Sequence, residues 1–309
     1  MQIVLPGALP DPSEARELAP HVLKAAPTLS RWLRLGRASI TTTDPVAAGC
    51  TPYEHWLLSA HGFKPAQGQN LSSGLGPLWA GNVTKRDQPV WLAELVHVAP
   101  SRDGARLFGA SDLSIELAES VALFDSAQDF FKGSGFSASP SSARHWLITI
   151  HGNFAPVCAS PSLVSLGSMN DSWPKEPEAR PWRRLVNELQ MLWFDHPVNR
   201  ARQARGLAPI NSLWLFGGAK ADQFADTRST PVFKICETLH VPFNTHDWSA
   251  WLQALGELES TVFQPLAHTP PELVLIGRDR FVQLRPGTLA RFVNRLPGKH
   301  WSNWWSPRN

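Results

Sequence analysis

Charge is scarce in this chain, and so are tyrosine, methionine and cysteine. Asp, Glu, Lys and Arg make up 18% of the 309 residues and leave a formal charge of +3. That is too little to argue for nucleic-acid binding by itself. The three cysteines, Cys50, Cys158 and Cys236, are far apart and show neither a CxxC nor a CxxH spacing. Such spacing argues against a disulfide framework or a thiolate zinc site and fits a reducing compartment. No run of about 18 apolar residues exists, and the opening MQIVLPGALPDPSE lacks a basic region followed by a long apolar one. The expectation is a cytoplasmic protein with no membrane partner. A single tyrosine stands beside 14 tryptophans, and Trp301, Trp304 and Trp305 crowd the end of the chain. With 43% apolar residues the chain can bury a substantial core, as one large α/β domain or two smaller ones.

The most densely specified stretch runs from Pro181 to Lys220. Trp182, Leu185, Val186, Leu189, Leu192 and Trp193 recur at spacings of three and four, which predicts a helix with one apolar face. Pro181 suits its first turn, where the missing N–H costs nothing. A turn at Asp195-His196-Pro197 and a polar segment, Asn199 to Arg205, lead to Gly206. The run Asn211 to Phe216 then reads as a buried strand stopping at Gly217-Gly218. Paired glycines after a strand either bring backbone close to a ligand at the carboxyl edge of a sheet or make a tight turn.

Elsewhere, Gln2 to Leu5 reads as a short strand that breaks at Pro6-Gly7 and runs on to Pro10-Asp11-Pro12. An Asp in the turn after a first strand is a candidate metal ligand, and equally an ordinary turn residue. Ala19 to Leu35 reads as a helix with Pro27 at a break or a start and Gly36 as its stop. Ser39 to Thr43 is β-prone. Thr51 with Glu54 three residues on, and Pro52 between them, predicts a capping box at a helix start. The free N–H groups there would favour an anion and a lowered thiol pKa, making Cys50 and Thr51 candidate nucleophiles. A capped helix beside a buried Cys is the plainer alternative. Residues 66–78 read as loop. Val90 to Val98 and Arg106 to Phe108 read as a hairpin, Ser114 as the cap of a helix through Phe131, and Trp146 to Ile150 as a strand. Residues 88–170 thus look like a smaller inserted α/β subdomain, leaving 1–87 and 171–309 as the main domain. Asp247 starts a helix carrying Trp248, Trp251, Leu255 and Leu258, and two final strands flank Gly277-Arg-Asp.

Several of these motifs resemble the archaeal-type, cofactor-independent phosphoglycerate mutases of the alkaline phosphatase superfamily. Pro27-Thr-Leu-Ser-Arg-Trp-Leu-Arg-Leu-Gly36 is similar to that family's Pro-Asn-Leu-Asp-Arg-Leu-Ala-x-x-Gly helix, and Ala60-His-Gly-Phe-Lys-Pro65 to the end of its nucleophile helix. His196-Pro-Val-Asn-Arg-x-Arg202, Gly206 and Ile210-Asn-Ser-Leu-Trp resemble its His-Pro-x-Asn-x-x-Arg, Gly and Ala-Asn-strand sequence. A bacterial offshoot of RpfE-type regulatory, mutase-like proteins looks closer still. It shares Thr51-Pro-Tyr-Glu, Asn187-Glu-Leu-Gln-Met-Leu192 and Asn211-Ser-Leu-Trp-Leu-Phe-Gly-Gly218. The resemblance implies an alkaline-phosphatase-like α/β fold, a mixed or parallel sheet with flanking helices. It also implies a phosphorylated small molecule as ligand, contacted by Asn199, Arg200, Arg202 and Asn211. The alternative for these four is that they tie the hinge together.

The departures from the family are as informative. Two divalent ions, Mn or Zn, ionise the family's Ser or Thr and clamp the phosphoryl oxygens. Here the first-strand Asp-Gly becomes Pro6-Gly7-Ala8, leaving Asp11 nearby, and the late Asp-x-x-Gly-His-Asp cluster is reduced to His246-Asp247. The expectation is therefore a pseudoenzyme with a binding or regulatory role and no cofactor, with an active Mn- or Zn-dependent mutase or phosphatase as the alternative. A third reading makes the Trp-rich tail, with Arg291, Arg295 and Lys299 before it, a surface for a protein or single-stranded nucleic acid.

Overall fold

The structure is a computed structural model and describes residues 1–81, 83, 85–102, 104–225, 232–287 and 301–305. The fold is mixed α/β, with parallel and antiparallel strands and flanking helices. The chain divides into two compact units, Met1–Asp44 with Ser229–Asn309, and Pro45–Arg228. Among the described residues no helix is long and apolar enough to cross a membrane.

The strands in chain order are β1 (Gln2–Pro6), β2 (Arg37–Thr42), β3 (Pro89–Ser101), β4 (Gly104–Phe108), β5 (Phe136–Pro140), β6 (His145–Ile150), β7 (Ser212–Lys220), β8 (Phe233–Ile235), β9 (Glu272–Ile276) and β10 (Arg280–Arg285). In the first unit the sheet order is β2-β10-β9-β1-β8, with β1 parallel to both neighbours and β10 antiparallel to its own. Ile3, Val4 and Leu5 of β1 are fully buried, as a strand covered on both faces requires. Two helices, Pro12–Ala25 and Pro27–Leu35, replace the single one expected over 19–35. Pro27 opens the second helix at the first-turn position that tolerates a missing donor.

The second unit is built on an antiparallel sheet in which the long β3 pairs with β7 along one edge and with β6 and β4 along the other. The β3–β4 hairpin forms as the sequence predicts. The expected boundaries at 88 and 170 do not hold. Val90 to Val96 pair with Ser212 to Ala219, so the supposed insertion and the 181–220 stretch share one sheet and one core. Backbone pairing across more than a hundred residues leaves no trace in local composition. The expected division of the sheet into a main domain and an insert is therefore corrected.

Within that unit the Arg180–Trp193 helix buries Trp182, Leu185, Val186, Leu189 and Trp193, the face read from periodicity. Asn199 to Arg205, read as polar hinge, is mostly a second helix, Pro197–Ala204. β7 does not stop at Gly217-Gly218 but continues to Lys220 through a bulge opposite Val90 and Trp91. Ser114 is not the cap that starts the helix through Phe131 but the C-cap of a short helix, Ala110–Leu113. It adopts φ +48°, and Glu116 caps the Leu117–Phe131 helix in a capping box with Glu119. Residues 66–78, read as loop, contain two short helical turns, Leu71–Gly74 and Leu75–Trp79.

Candidate functional site

Two groups of sequence-predicted residues fall in different units, and each is described by itself. Asp11, His246 and Asp247 lie in the first unit; Cys50, Thr51, Asn199, Arg200, Arg202 and Asn211 lie in the second.

In the second unit Thr51 is the N-cap of the Pro52–Ala60 helix, and the predicted capping box is present. Thr51 Oγ1 accepts from Glu54 N at 3.3 Å and donates to Glu54 Oε2 at 3.0 Å, while Thr51 N donates to the same oxygen at 2.8 Å. Ser160 Oγ adds a 2.6 Å bond to Glu54 Oε2 and accepts from Leu163 N at 3.2 Å, capping a second helix, Pro161–Ser165. Sequence reasoning took Glu54 as a capping partner only; it missed Ser160, whose helix start lay in a stretch with no periodicity. Cys50 is buried, and burial reinforced by the Glu54 carboxyl pushes its thiol pKa up rather than down. A buried thiol held protonated is not a nucleophile. The expectation that Cys50 is activated is therefore corrected.

Burial also raises the Glu54 carboxyl pKa from 4.5, against hydrogen bonds from Ser160 and Thr51 that lower it. The folded chain then holds this proton to higher pH than the unfolded chain does. Stability contributed here is fully present below the unfolded value and is lost as pH rises through the folded one. Urea unfolding of the wild-type chain and of Glu54→Gln, compared from pH ~4 to ~8, should show the wild type losing stability relative to the variant as pH increases. A flat or rising difference would contradict a carboxyl pKa raised by burial.

The four residues expected to hold a phosphate are all used inside the chain. Asn199 donates to Trp193 O and Ile210 O and accepts from Ile210 N, each at 2.8 Å. Asn211 pairs with both Val98 N and Val98 O, imitating a strand residue at the end of β7. Arg202 is fully buried, with its fork spent on Glu119 Oε2 (2.7 Å), Leu113 O (2.5 Å) and Ala208 O (2.8 Å). Arg200 is exposed and forms a bidentate pair with Asp195. The His-Pro-x-Asn-x-x-Arg sequence thus fastens helix, hinge and strand together. The buried amide of Asn199 and the buried fork of Arg202 are committed to these partners, which corrects them as expected anion contacts; Arg200 is exposed and paired with Asp195.

In the first unit, the carboxyl ends of β1 and β9 are level, because Pro6 pairs with Ile276. Residues following those strands converge, as they do at the ligand edge of an α/β sheet. Asp11 precedes the Pro12–Ala25 helix without a side-chain cap bond, and its Oδ2 lies 3.8 Å from Arg278 Nε. His246 adopts φ +55°, a conformation that is strained for a residue with a Cβ. Its Nδ1 meets Glu14 Oε1 at 2.9 Å and its Nε2 meets Arg278 Nη2 at 2.8 Å. Asp247 turns away from this group, its Oδ1 accepting from Ala250 N at 2.9 Å as the predicted helix cap. The structure therefore brings Asp11 and His246 to one guanidinium and leaves Asp247 out.

These donors do not fit a pair of divalent ions. Among the described residues no three His, Cys, Asp or Glu side chains form a group suited to a metal. Sequence reasoning missed Arg278, which lay between two expected strands in Gly277-Arg-Asp, and Glu14, which fell before the helix start expected at Ala19. In the tail, Trp301 and Trp305 are buried, and Trp305 Nε1 donates to Ala8 O at 3.1 Å. These two rings are not an open stacking platform; Arg291, Arg295 and Lys299 lie outside the described residues.

No family model matches the chain. A probable 2,3-bisphosphoglycerate-independent phosphoglycerate mutase of Geobacter sulfurreducens is 27% identical over 204 residues, 64% of this chain and 50% of that protein. Part of this chain is homologous to cofactor-independent phosphoglycerate mutase-like proteins. The chain spans about half the length of that relative. Among solved structures it is similar to the cofactor-independent phosphoglycerate mutase of Thermoplasma acidophilum DSM 1728, with a TM-score of 0.38 and 14% identity over 97% of this chain and 94% of that one. PH0037 protein of Pyrococcus horikoshii gives a TM-score of 0.45 and 14% identity over 98% and 91%.

Proposed function

We propose that this chain is a phosphoglycerate-mutase-like protein that has lost turnover and serves a binding or regulatory role in the cytoplasm, in the manner of the RpfE-type offshoot it resembles. One observation carries the reading. The hydroxyl of the candidate nucleophile, Thr51 Oγ1, is engaged as both donor and acceptor by Glu54, and the neighbouring Cys50 thiol is buried. A phosphoryl-transfer site needs an ionised nucleophile and cationic clamps on the phosphoryl oxygens, and that electrostatic contribution is usually the largest part of the rate. The engagement of Thr51 with Glu54 and of Arg202 with Glu119 and two carbonyls supports the reading that turnover is lost. A phosphorylated small molecule remains the ligand class that the mutase-like homology favours.

The test is an assay of the purified chain with Mn2+ or Zn2+ supplied, using 3-phosphoglycerate for mutase activity and p-nitrophenyl phosphate for phosphatase activity. The expected result is turnover no higher than that of Thr51→Ala. Metal-dependent turnover that Thr51→Ala abolishes would overturn the reading in favour of an active mutase or phosphatase.

A further inference from the structure

We propose that the guanidinium of Arg278 is a built-in replacement for a divalent cation at the carboxyl edge of the first unit's sheet. The inference stands on the geometry of this cluster and is independent of whether the chain turns over phosphoglycerate. A guanidinium carries donors only. Its 2.8 Å bond to His246 Nε2 therefore makes that nitrogen an acceptor, and the ring proton sits on Nδ1, where it donates to Glu14 Oε1. Carboxylate to Nδ1–H, with the Nε2 lone pair aimed at a cation, is how proteins prepare a metal-ligating histidine. Here the cation is an arginine.

The other neighbours of Arg278 fit the same description. It donates to the Phe243 carbonyl at 3.2 Å, lies 3.8 Å from the Asp11 carboxylate and covers the Phe243 ring at 4.9 Å. One imidazole lone pair, one carboxylate and one main-chain oxygen thus face a single positive group. Nitrogen and oxygen donors of this kind suit Zn2+ or Mn2+. The strained backbone at His246 supports a position held for its side chain's direction. Because arginine stays charged and covalently attached, the site has a cation that neither exchanges nor polarises a bound water as a metal does.

The experiment uses the full chain, with Zn2+ binding measured by equilibrium dialysis and Co2+ by its visible absorption. Arg278→Ala, and Arg278→Met as a variant that keeps the stem against Phe243, each remove a like charge from the site and should bind one ion about 100-fold more tightly than wild type. Adding His246→Ala to either should remove that gain. In the wild type, one equivalent of Zn2+ should leave the His246 ring nitrogen resonances unmoved. Two results would overturn the proposal. One is a wild-type His246 resonance that shifts on adding Zn2+; the other is folded Arg278 variants that bind no more metal than wild type.

Discussion

Arg202→Met should be among the most damaging single changes in the chain, lowering stability by about 3–5 kcal/mol. Arg202 is fully buried, and all three of its bonds end on groups that cannot easily find water: the Leu113 and Ala208 carbonyls and the Glu119 carboxylate. Methionine would fill much of the volume but leave two carbonyls without donors, each costing about 1–3 kcal/mol. It would also leave Glu119 with Arg205 as its remaining cationic partner, 2.6 Å from Oε1. The outer pair keeps the carboxylate from being stranded, which favours the lower end of the range. For a unit of this size the melting temperature should fall by roughly 10 °C. Arg200→Met supplies the control: its bidentate pair with Asp195 is open to solvent, where such pairs contribute little. Equal melting temperatures for the two variants would show that the buried fork does not hold the second unit together.

Gly217→Ala should be nearly as severe. A Cβ on Gly217 would stand 2.6 Å from Val90 O and 2.9 Å from Gly76 Cα, both backbone atoms that cannot swing aside. Its φ of +98° adds a conformation that alanine resists. Overpacking and strain together should cost about 3–5 kcal/mol. Gly206, at φ +74° with no atom near its missing Cβ, isolates the conformational part, and Gly206→Ala should cost about 1 kcal/mol. If urea denaturation gives the two alanine variants the same loss, the crossing of β7 over Gly76 is not tight. This crossing also explains why the glycine pair follows a buried strand. It admits backbone to backbone within a strand that continues to Lys220, so the pair is not the tight turn that the sequence offered.

Several local signals in the sequence held where their partners lay within about four residues. The Thr51–Glu54 capping box, the Asp247 cap and the apolar face of the Arg180–Trp193 helix all form as read. What the sequence concealed were bonds spanning long stretches of chain. Asn211 looked like a ligand-binding amide because nothing nearby revealed that Val98 would pair with it. Arg202 looked like a phosphate fork because Glu119 lies 83 positions away. Buried hinge and exposed site use the same residue types, and only the fold says which carbonyl or carboxylate arrives opposite. The Arg278 cluster was invisible for the same reason: Asp11 and Glu14 stand at the start of one helix, while His246 and Arg278 come from connections more than 200 residues further along the chain.

The pairing of β1 has a consequence for synthesis on the ribosome. This strand is made before the whole of the Pro45–Arg228 unit, yet both its neighbours, β8 and β9, are made after it. The intervening unit, Pro45–Arg228, is continuous and has its own core, so it can close while the rest is still being made. Ile3, Val4 and Leu5 must meanwhile wait with both edges unpaired, an apolar strand of the kind that aggregates when left uncovered. A chaperone that shields nascent chains should therefore engage Gln2–Pro6 longer than the strands of the Pro45–Arg228 unit, releasing it only once Glu272–Ile276 has left the exit tunnel.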